Sequence, residues 1–334
     1  MNVTLICGGP SSEHEVSINS SRSIFEAIDK TKYTVSLLYI DRELNAAFTL
    51  LPDTFSIPEG QDLFKPLHIA IETHLKETDI CLLAGIHGEF VEDGRLQNML
   101  EYYGIKYTGS ESAASSLAMD KYRTSLVVQS LGIVEIPNTI LIDLEKELSY
   151  EGLEYPLIYK PNTLGSTVGV HIVMSETELK KAILTEKKSG KYRFGLLQEY
   201  IQDALELTCG CLQSKDGTFT TLPPVEIIPQ KSTFFDYASK YEEGGALEIT
   251  PPDHIPQEDS DNISQLACDI HELLGCKTYS RSDFLLKDGT LYFMETNTLP
   301  GMTKTSLIPK EAAAIGMTFA ELINFVIKEA YTDV

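Results

Sequence analysis

The chain has 334 residues, of which 43% are apolar and 23% are charged. These values are ordinary for a globular protein with two or three domains. The formal net charge of -22 would repel a phosphate backbone or an anionic membrane, which argues against nucleic acid and membrane partners. The six cysteines show no zinc-finger or disulfide-framework spacing, and neither a signal peptide nor a membrane span is indicated. The sequence therefore predicts a protein of the reducing cytoplasm.

The first hundred residues alternate apolar, strand-like segments with amphipathic, helix-like segments, beginning with NVTLIC. Such alternation predicts a parallel sheet with helices on both faces, and ligands bind such sheets at the carboxyl ends of the strands. Two glycine-bearing loops follow predicted strands, CGGPSSEHEVS at 7–17 and GIHGEFVEDG at 85–94. One of the two acids in the first loop, Glu13 or Glu15, could hold a ligand ammonium group; the alternative is that both complement a helix dipole. We expect His87 to face a cleft and His14 to be solvated.

A second region opens with a helix predicted through MDKYRTSLVVQSLG, which Gly132 ends. Strands YPLIYKP and VGVHIV flank the loop NTLGST, and a helix follows in which Ser175 and Glu178 form a capping box. From about residue 205 the chain is richer in strands. The polar loop at 230–250 is longer than most connections in compact domains, so we expect it to be a lid over a functional site.

Lys160 lies at the end of an apolar strand and precedes a loop with Gly165, two hydroxyl side chains and Gly169. Small residues let backbone N–H groups approach an anion, and a nearby ammonium adds charge, so this loop is a candidate phosphate site. The alternative is an ordinary hairpin that ends in a surface lysine. Farther along, Glu199 and Glu206 flank a segment whose main chain could contact an adenine edge while a carboxylate binds ribose hydroxyls. The alternative for both is a surface acid.

The segment LYFMETNTLPG at 291–301 raises the possibility of a cation site. Side chains alternate along a strand, so Glu295 and Asn297 point to the same face. Both offer oxygen atoms, which suit a hard cation. The alternative is an edge hairpin with solvated charges.

The preceding segment SRSDFLLKDGT supplies a candidate partner strand, and the length of the connecting loop decides which side chains share a face. A three-residue loop at 287–289 would place Asp283 on the face of Glu295, with Arg281 opposite Glu295. A two-residue loop would place Asp283 opposite Met294, on the wrong face. The candidate cation site therefore depends on the three-residue loop, which alone of the two brings a second carboxylate to it.

Six stretches of the sequence carry a further signal: GGPSSEHEVS, HGEFVEDGRLQNMLEYYGIKYTGS, AMDKYRTSLVVQSLGI, YKPNTLGSTVGV, FFDYASKY and SRSDFLL…METNTLPGMTKTSLIPKEA. In this order and spacing, from residue 3 to about 327, they resemble the D-alanine:D-alanine ligase family of the ATP-grasp superfamily. The resemblance implies an α/β, ATP-grasp fold with three domains. These would be an N-terminal parallel-sheet, Rossmann-like domain at 1–116, a central domain at 117–204 and a C-terminal domain at 205–334, with ATP between the central and C-terminal sheets.

The resemblance also implies a reaction and its cofactors. ATP would phosphorylate the carboxylate of one D-alanine, and the amine of a second D-alanine would attack the acylphosphate to give D-alanyl-D-alanine for peptidoglycan synthesis. Two Mg²⁺ ions, for which Mn²⁺ could substitute, are implied as cofactors. A homodimer is implied in the same way.

The site residues that the resemblance implies fall into groups. For the nucleotide they are Lys121, Lys160, Ser166, Glu199, Tyr200, Ile201, Glu206, Phe234 and Lys240. For the metal ions they are Asp283, Glu295 and Asn297. For the substrates they are Glu13, His87, Arg281, Gly301, Ser306 and Leu307. For catalysis they are Glu13, Ser166, Tyr241, Arg281, Gly301 and Ser306.

Within these groups, the resemblance implies particular contacts. Arg281 and the main chain of Gly301 would steady a tetrahedral oxyanion. Glu13 would hold the ammonium group of the first substrate. Ser306 and Leu307 would bind the carboxylate of the second.

Four residues, Val91, Leu164, Thr167 and Ser282, depart from the residues that the family usually has at these positions. None of them removes a charged group, so they bear on rate or substrate fit more than on the class of reaction. Tyr241, at which depsipeptide-forming relatives tend to differ, is present and favours an amine as the second nucleophile. The alternatives are D-serine or D-lactate as second substrate, and a nucleotide-binding module without turnover.

Overall fold

The computed structural model describes residues 1–146, 152–165, 169–230 and 246–330. The strands of its N-terminal part are β1 (Asn2–Gly8), β2 (Thr34–Ile40), β3 (Asn45–Leu50), β4 (Lys65–Pro66) and β5 (Ile80–Leu82). They form one sheet in the order β4-β3-β2-β1-β5. The apolar side chains of β1 and β5 are almost completely buried, as expected for strands that are covered on both faces.

The predicted parallel pairing is confirmed at the centre of this sheet but not at its edge. β1 pairs in parallel with both β2 and β5. β3 pairs antiparallel with β2, and β4 pairs antiparallel with β3. The short connection between β2 and β3 leaves no room for a crossover helix, so β3 returns as a hairpin strand. The predicted strand IKYTG contributes an isolated parallel bridge between Tyr107 and Cys81.

Helices α1 (His14–Ala27), α2 (Leu67–His74) and α3 (Arg95–Tyr102) belong to this part of the chain. α1 contacts β1, and α2 contacts β3. A Cβ atom on Gly85 would lie 2.2 Å from Ser21 Oγ, so glycine is needed where α1 passes the loop after β5. Because β1 and β5 are parallel neighbours, the loops that follow them, which carry Glu13 and His87, meet at one edge of the sheet.

The middle of the chain begins with helices α4 (Ser112–Met119) and α5 (Lys121–Gln129). Strands β6 (Thr139–Asp143), β7 (Leu157–Pro161), β8 (His171–Val173) and β9 (Phe194–Glu199) follow. They form an antiparallel sheet in the order β6-β9-β7-β8.

Helix α6 (Glu176–Ser189) packs on this four-stranded sheet through its buried side chains. Ser175 caps α6 by accepting the Glu178 N–H, as the sequence predicts. The return bond of the predicted capping box differs, because the Glu178 carboxylate accepts the N–H of Met174 at 2.8 Å.

The C-terminal part contains a six-stranded antiparallel sheet. Its strands are β10 (Leu205–Gln213), β11 (Phe219–Thr221), β12 (Val225–Pro229), β13 (Ala246–Ile249), β14 (Tyr279–Lys287) and β15 (Thr290–Asn297). The order is β13-β12-β10-β14-β15, with β11 beside β10. Cys209 and Cys211 of β10 are buried free cysteines, in agreement with their prediction as small apolar residues.

Among the described residues of this part there are also the helices α7 (Gln257–Leu273), α8 (Leu307–Ala314) and α9 (Phe319–Lys328). α7 covers one face of the six-stranded sheet, where its apolar side chains join Leu207, Phe284 and Phe293 in one core cluster. α9 contacts α1, so the C-terminal helix packs against the N-terminal part. Across the described ranges, none of the helices has the length and apolar character needed to cross a membrane.

The turn between β14 and β15 differs from the prediction. Lys287 pairs with Thr290, so the loop has two residues, Asp288 and Gly289, rather than three. Both loop residues have positive φ, 50° and 79°, as the common two-residue hairpin turn requires. The predicted three-residue loop is therefore wrong.

A bulge in β15 nevertheless brings the two carboxylates to one face. Phe284 pairs with Phe293, but Asp283 pairs with Glu295, so Met294 is the extra residue. The bulge thus does what the three-residue loop was expected to do. The pairing of Arg281 changes, because Arg281 lies opposite Asn297 and not opposite Glu295.

We call the face of this hairpin that carries Arg281, Asp283, Glu295 and Asn297 the front face, and the face that carries Phe284 and Phe293 the back face. On the back face, Ser282 Oγ lies 2.9 Å from Thr296 Oγ1, so the departure at Ser282 is accommodated by a buried hydroxyl pair.

Candidate active site

A cleft of about 370 Å³ lies between the four-stranded and the six-stranded sheets. Eight of the predicted site residues line it: Lys121, Lys160, Glu199, Tyr200, Ile201, Glu206, Asp283 and Glu295. Its apolar walls include Ile158, Val170, Leu205 and Met294. A cleft with apolar walls and a few converging charges is typical of a ligand site.

Two lysines reach this cleft from different elements. Lys121 is the first residue of α5, where Asp120 caps the helix with its side chain. Lys160 is the next-to-last residue of β7. The Lys121 Nζ atom donates to Leu164 O at 2.8 Å and lies 3.1 Å from Glu295 Oε2. Lys121 therefore links the loop after β7 to the front face of the hairpin.

The charge of Lys160 is sensitive to what occupies the cleft. Burial lowers its pKa to about 8, and Lys121 acts in the same direction, whereas Glu295 and Asp283 oppose the shift. A bound polyphosphate would add negative charge and favour the protonated amine. Two neighbouring lysines in a cleft, one of them buried with a lowered pKa, make this a candidate anion site.

Asp283 is held by three neighbours on the front face. Arg281 Nε lies 3.1 Å from Asp283 Oδ1, and Arg281 Nη2 lies 3.3 Å from Oδ2. The Thr208 hydroxyl donates to Oδ1, and the Asn297 Nδ2 atom donates to Oδ2 at 3.3 Å. Burial lowers the pKa of Arg281, but the adjacent Asp283 more than offsets this and raises it above its usual value. The guanidinium therefore stays charged.

The oxygen atoms of Asp283, Glu295 and Asn297 fit a hard divalent cation in type and number. At present Asp283 pairs with Arg281, Glu295 pairs with Lys121, and Asn297 turns its amide nitrogen toward Asp283. Over the residues that the structure describes, no group of three or more His, Cys, Asp or Glu side chains is arranged to hold a metal ion. Asp283 accepts two bonds from Arg281, one from Thr208 and one from Asn297, so an ion that binds here must displace at least one donor, and Asn297 must turn its amide oxygen inward to become a ligand.

The predicted adenine and ribose contacts line the same cleft. Glu199 ends β9, and its main-chain N–H donates to Asn138 O at 2.8 Å. Tyr200 and Ile201 follow the last residue of β9 that pairs with β7. Glu206 lies on β10, where it pairs with Ile227 and Leu285 in the neighbouring strands. The main chain at 200–201 can therefore meet a purine edge without breaking a strand pairing.

Glu13 and His87 meet at the edge of the N-terminal sheet. His87 is buried, and its Nδ1 and Nε2 atoms lie 3.2 Å from Leu299 O and 3.0 Å from Ser20 Oγ. Burial lowers the pKa of His87 while Glu13 opposes the shift, so the ring is neutral at pH 7. A Cβ atom on Gly88 would lie 3.0 Å from Glu13 Oε2, which places this carboxylate directly beside the loop of His87.

His14 is buried, and the expectation that it is solvated is wrong. Its Nδ1 atom lies 2.6 Å from Gly9 O, and its Nε2 atom lies 3.0 Å from Tyr39 OH. The ring thus ties the start of α1 to the loop after β1. His14 supports the loop that carries Glu13.

Gly301 and Ser306 lie close together at the start of α8. Ser306 is the N-cap position of α8, and its Oγ atom accepts the Thr303 N–H at 3.0 Å. A Cβ atom on Gly301 would lie 3.0 Å from Ser306 Oγ. The first N–H groups of a helix, here beginning with Leu307, attract a carboxylate. This geometry is compatible with the predicted contact to a substrate carboxylate.

Ser166, Phe234, Lys240 and Tyr241 lie outside the described residues, as do Thr167 and most of the predicted lid. Their expected contacts with phosphates and substrate stay predictions.

Two acids near the site were missed by the sequence reasoning. Burial raises the pKa of Glu92 to about 8, and Glu13 acts in the same direction, while Lys121 and Arg281 oppose the shift. The pKa of Glu92 therefore depends on charges in the N-terminal loops and in the cleft. Glu311 in α8 is fully buried. Its position three residues after Ile308, on the same helix face, was a signal that could have revealed it.

Two sheets that face each other across a cleft lined by lysines and acids define the ATP-grasp class of proteins. The comparisons with known proteins agree with this class. Residues 2–110 match the family model for the D-ala D-ala ligase N-terminus, and residues 128–328 match the model for the D-ala D-ala ligase C-terminus. The chain belongs to the D-alanine–D-alanine ligase family.

Relatives and solved structures are similar over nearly the whole chain. The D-alanine–D-alanine ligase of Fervidobacterium nodosum is 36% identical, with 99% of each chain covered. The enzyme of Leptospira biflexa is 35% identical, with 98% of each covered. The Bacillus anthracis ligase complexed with ATP has a TM-score of 0.76 at 28% identity, over 99% of this chain and 96% of that chain. The VanG D-Ala:D-Ser ligase of Enterococcus faecalis has a TM-score of 0.81 at 26% identity, over 99% of both.

Proposed function

We propose that this protein uses ATP to join two D-alanine molecules into D-alanyl-D-alanine for peptidoglycan synthesis. The observation that carries the proposal is the cleft between the two sheets, where eight residues predicted for nucleotide and metal binding come together in a member of this ligase family. The names of the relatives, which cover nearly the whole chain, support the choice of substrate.

The first step demands local positive charge. A D-alanine carboxylate oxygen bonds to the γ-phosphorus of ATP, and the bond from that phosphorus to the bridging oxygen of ADP breaks. Both reactants are anions, and the protein itself has a net charge of -22. Lys121 and Lys160 in the cleft, with Arg281 on the front face, offset this repulsion where the phosphates lie.

Divalent ions would be held by Asp283, Glu295 and Asn297. When bound, they would neutralise the phosphate oxygens as Lewis acids. We propose two Mg²⁺ ions, for which Mn²⁺ can substitute. The oxygen-rich donor set and the pairing of Asp283 with Glu295 across the hairpin support this choice.

The second step forms the peptide bond. The amine of the second D-alanine attacks the acyl carbon and loses a proton, and the carbon–oxygen bond to phosphate then breaks. Arg281 and the Gly301 N–H would stabilise the oxyanion between these events. Glu13 would orient the first substrate by its ammonium group, and the start of α8 at Ser306 and Leu307 would bind the carboxylate of the second.

Three further features belong to the proposal, and the first of them rests on family resemblance alone. They are a homodimeric state, a cytoplasmic location and the division into domains at 1–116, 117–204 and 205–334. The proposed lid at 230–250, of which residues 246–249 form strand β13, would exclude water from the acylphosphate through the part that carries Lys240 and Tyr241.

The function is tested by supplying ATP and Mg²⁺ with a panel of D-amino and D-hydroxy acids, and by measuring phosphate release together with product mass. We expect D-alanine alone to give phosphate and a product with the mass of its dipeptide. A mixed product with D-serine or an ester with D-lactate as the preferred outcome would change the second substrate. Nucleotide binding without turnover on any acid would contradict the proposal.

A further inference from the structure

Glu311 is a fully buried carboxylate between α8 and the front side of the six-stranded sheet. It shares a helix face with Ile308, and both side chains contact Gly210 in β10. A Cβ atom on Gly210 would lie 2.3 Å from Glu311 Oε2 and 2.4 Å from Ile308 Cδ1. The Gly210 N–H donates to Glu311 Oε2 at 2.8 Å. Gly210 therefore makes room for this carboxylate, which is fixed by one oxygen.

The other oxygen of Glu311 is unused in the described part of the chain. No hydrogen-bond partner reaches Oε1 there, although the atom is buried. An unpaired buried carboxylate oxygen is costly, so Oε1 is an acceptor that a nearby donor, such as a guanidinium group, can satisfy. Burial raises the pKa of Glu311 to about 8, and the strongest opposing influence is the charge of Arg281.

Arg281 is close enough to be that partner. Gly210 and Arg281 are directly paired across β10 and β14, so positions 210 and 281 point to the same face of the sheet. The Glu311 carboxylate occupies the space that a side chain at 210 would fill. It therefore lies beside the Arg281 side chain, on the side of the sheet that carries Asp283.

We propose that Glu311 is a positioning residue for Arg281, and that it receives the guanidinium when a divalent ion displaces Arg281 from Asp283. The inference rests on the proposed metal role of Asp283. In the present arrangement Arg281 donates to both oxygens of Asp283 and so competes with an ion for them. Without a second acid, the guanidinium would either compete with the ion or be left buried and unpaired.

Movement of the Arg281 guanidinium from Asp283 to Glu311 would also align the oxyanion-binding end of the substrate site with its carboxylate-binding end. Glu311 and Ser306 lie on the same short helix, and Ser306 is the N-cap residue of α8. A bond from Arg281 to Glu311 would therefore fix the proposed oxyanion-binding group relative to the proposed carboxylate site. The distance between them would be set by one rigid helix.

The test is a titration of Mn²⁺ into the full-length protein with ADP, followed by electron paramagnetic resonance, which needs no turnover. Glu311→Gln keeps the shape and an acceptor for the Gly210 N–H but removes the carboxylate. We expect Mn²⁺ to bind about tenfold more weakly, which corresponds to about 1.4 kcal/mol. If Glu311→Gln does not fold, Glu311→Met, which also lacks the carboxylate, should show the same weakening of Mn²⁺ binding.

Glu101→Gln is the matched control. Glu101 is a half-buried carboxylate that accepts bonds from Tyr107 and Ser112 away from the cleft. We expect this variant to lower thermal stability and to leave the Mn²⁺ titration unchanged. Unchanged Mn²⁺ binding in Glu311→Gln as well would overturn the inference.

A double-mutant cycle with Arg281→Ala separates positioning from a general charge effect. Once Arg281 is absent, Glu311→Gln should weaken Mn²⁺ binding no further. If the tenfold loss persists in that background, Glu311 acts through its own charge and the inference is wrong. If the unmodified protein binds no Mn²⁺ with ADP, the proposed metal role of Asp283 fails first, whereas dipeptide formation is measured independently.

Discussion

The two faces of the β14–β15 hairpin use the same backbone for opposite purposes. On the back face, the rings of Phe284 and Phe293 have centroids 6.2 Å apart, and both side chains are fully buried against α7. On the front face, Arg281 pairs with Asp283 and Glu295 pairs with Lys121, in side chains that retain some exposure. The back face stabilises the fold, and the front face holds charges that a ligand can rearrange.

The bulge at Met294 makes this division possible. Phe293 and Glu295 are two positions apart and would share a face in a regular strand. The extra residue sends Phe293 into the core and Glu295 into the cleft. One inserted residue thus separates stability from chemistry, and substitutions on the two faces should have separable effects.

The largest expected effect is on the front face. Glu295→Gln should lower turnover by about a thousandfold or more, because it removes a proposed metal ligand beside the phosphates. The melting temperature should change little, since the side chain is not part of a core cluster. Phosphate release in Mg²⁺ measures the effect, with the exposed Glu258→Gln as control. Near-normal turnover would count against the metal assignment.

The back face should respond in the opposite way. Phe284→Ala should lower the free energy of unfolding by about 3–5 kcal/mol, because it leaves a cavity in the α7 core. Activity per folded molecule should stay within a few-fold at low temperature. Urea unfolding and turnover measured on the same samples check this. A thousandfold loss of activity in folded protein would show that the two faces are not separable.

A pH profile sharpens the comparison through His271, which bonds to Ser280 on the back face at 2.7 Å. Burial lowers the pKa of His271 to about 3, and Lys277 acts in the same direction. Protonation therefore favours the unfolded chain, whose histidine keeps its usual pKa near 6.5. The stabilisation of the fold by the neutral His271 ring is complete above pH 6.5 and is lost as the pH falls toward 3.

Between pH 6.5 and 5 the free energy of unfolding should fall by about 2 kcal/mol through His271. His271→Gln should show a flatter dependence of the melting temperature on pH over that interval. Parallel curves for the two proteins would contradict the assignment.

The smallest expected effect concerns the proposed lid. Tyr241→Phe should loosen the contacts that close the site, and it should raise the share of ester product when D-lactate is offered with D-alanine. Product masses at equal turnover measure the ratio. An unchanged ratio would remove Tyr241 from any role in selecting the nucleophile.

The sequence predicted best what depends on local pattern. The strand–helix alternation and the cap at Ser175 follow from neighbouring residues, and they are present. The same-face placement of Asp283 and Glu295 was predicted correctly but for the wrong reason. A bulge depends on which residues the core accepts, and Met294 gives no local sign of it.

Long-range packing accounts for the other failures. His14 was expected in solvent, but Tyr39, a residue distant in sequence, bonds to its ring. The helix face of Glu311 could have indicated its burial, but its bonding partner Gly210, about a hundred positions away, could not be identified from the sequence. Contacts between residues that are distant in sequence cannot be predicted until the packing of the sheets and helices is known.

The central claim is that the front-face oxygens of Asp283, Glu295 and Asn297 hold a divalent ion beside the nucleotide. Crystals grown with ADP and Mn²⁺ test it directly by anomalous scattering. We predict that an oxygen of each of the three side chains lies roughly 2.1 Å from a manganese peak, with two peaks in all. Ordered nucleotide with no peak among them, and with Arg281 still bonded to Asp283, would contradict the account.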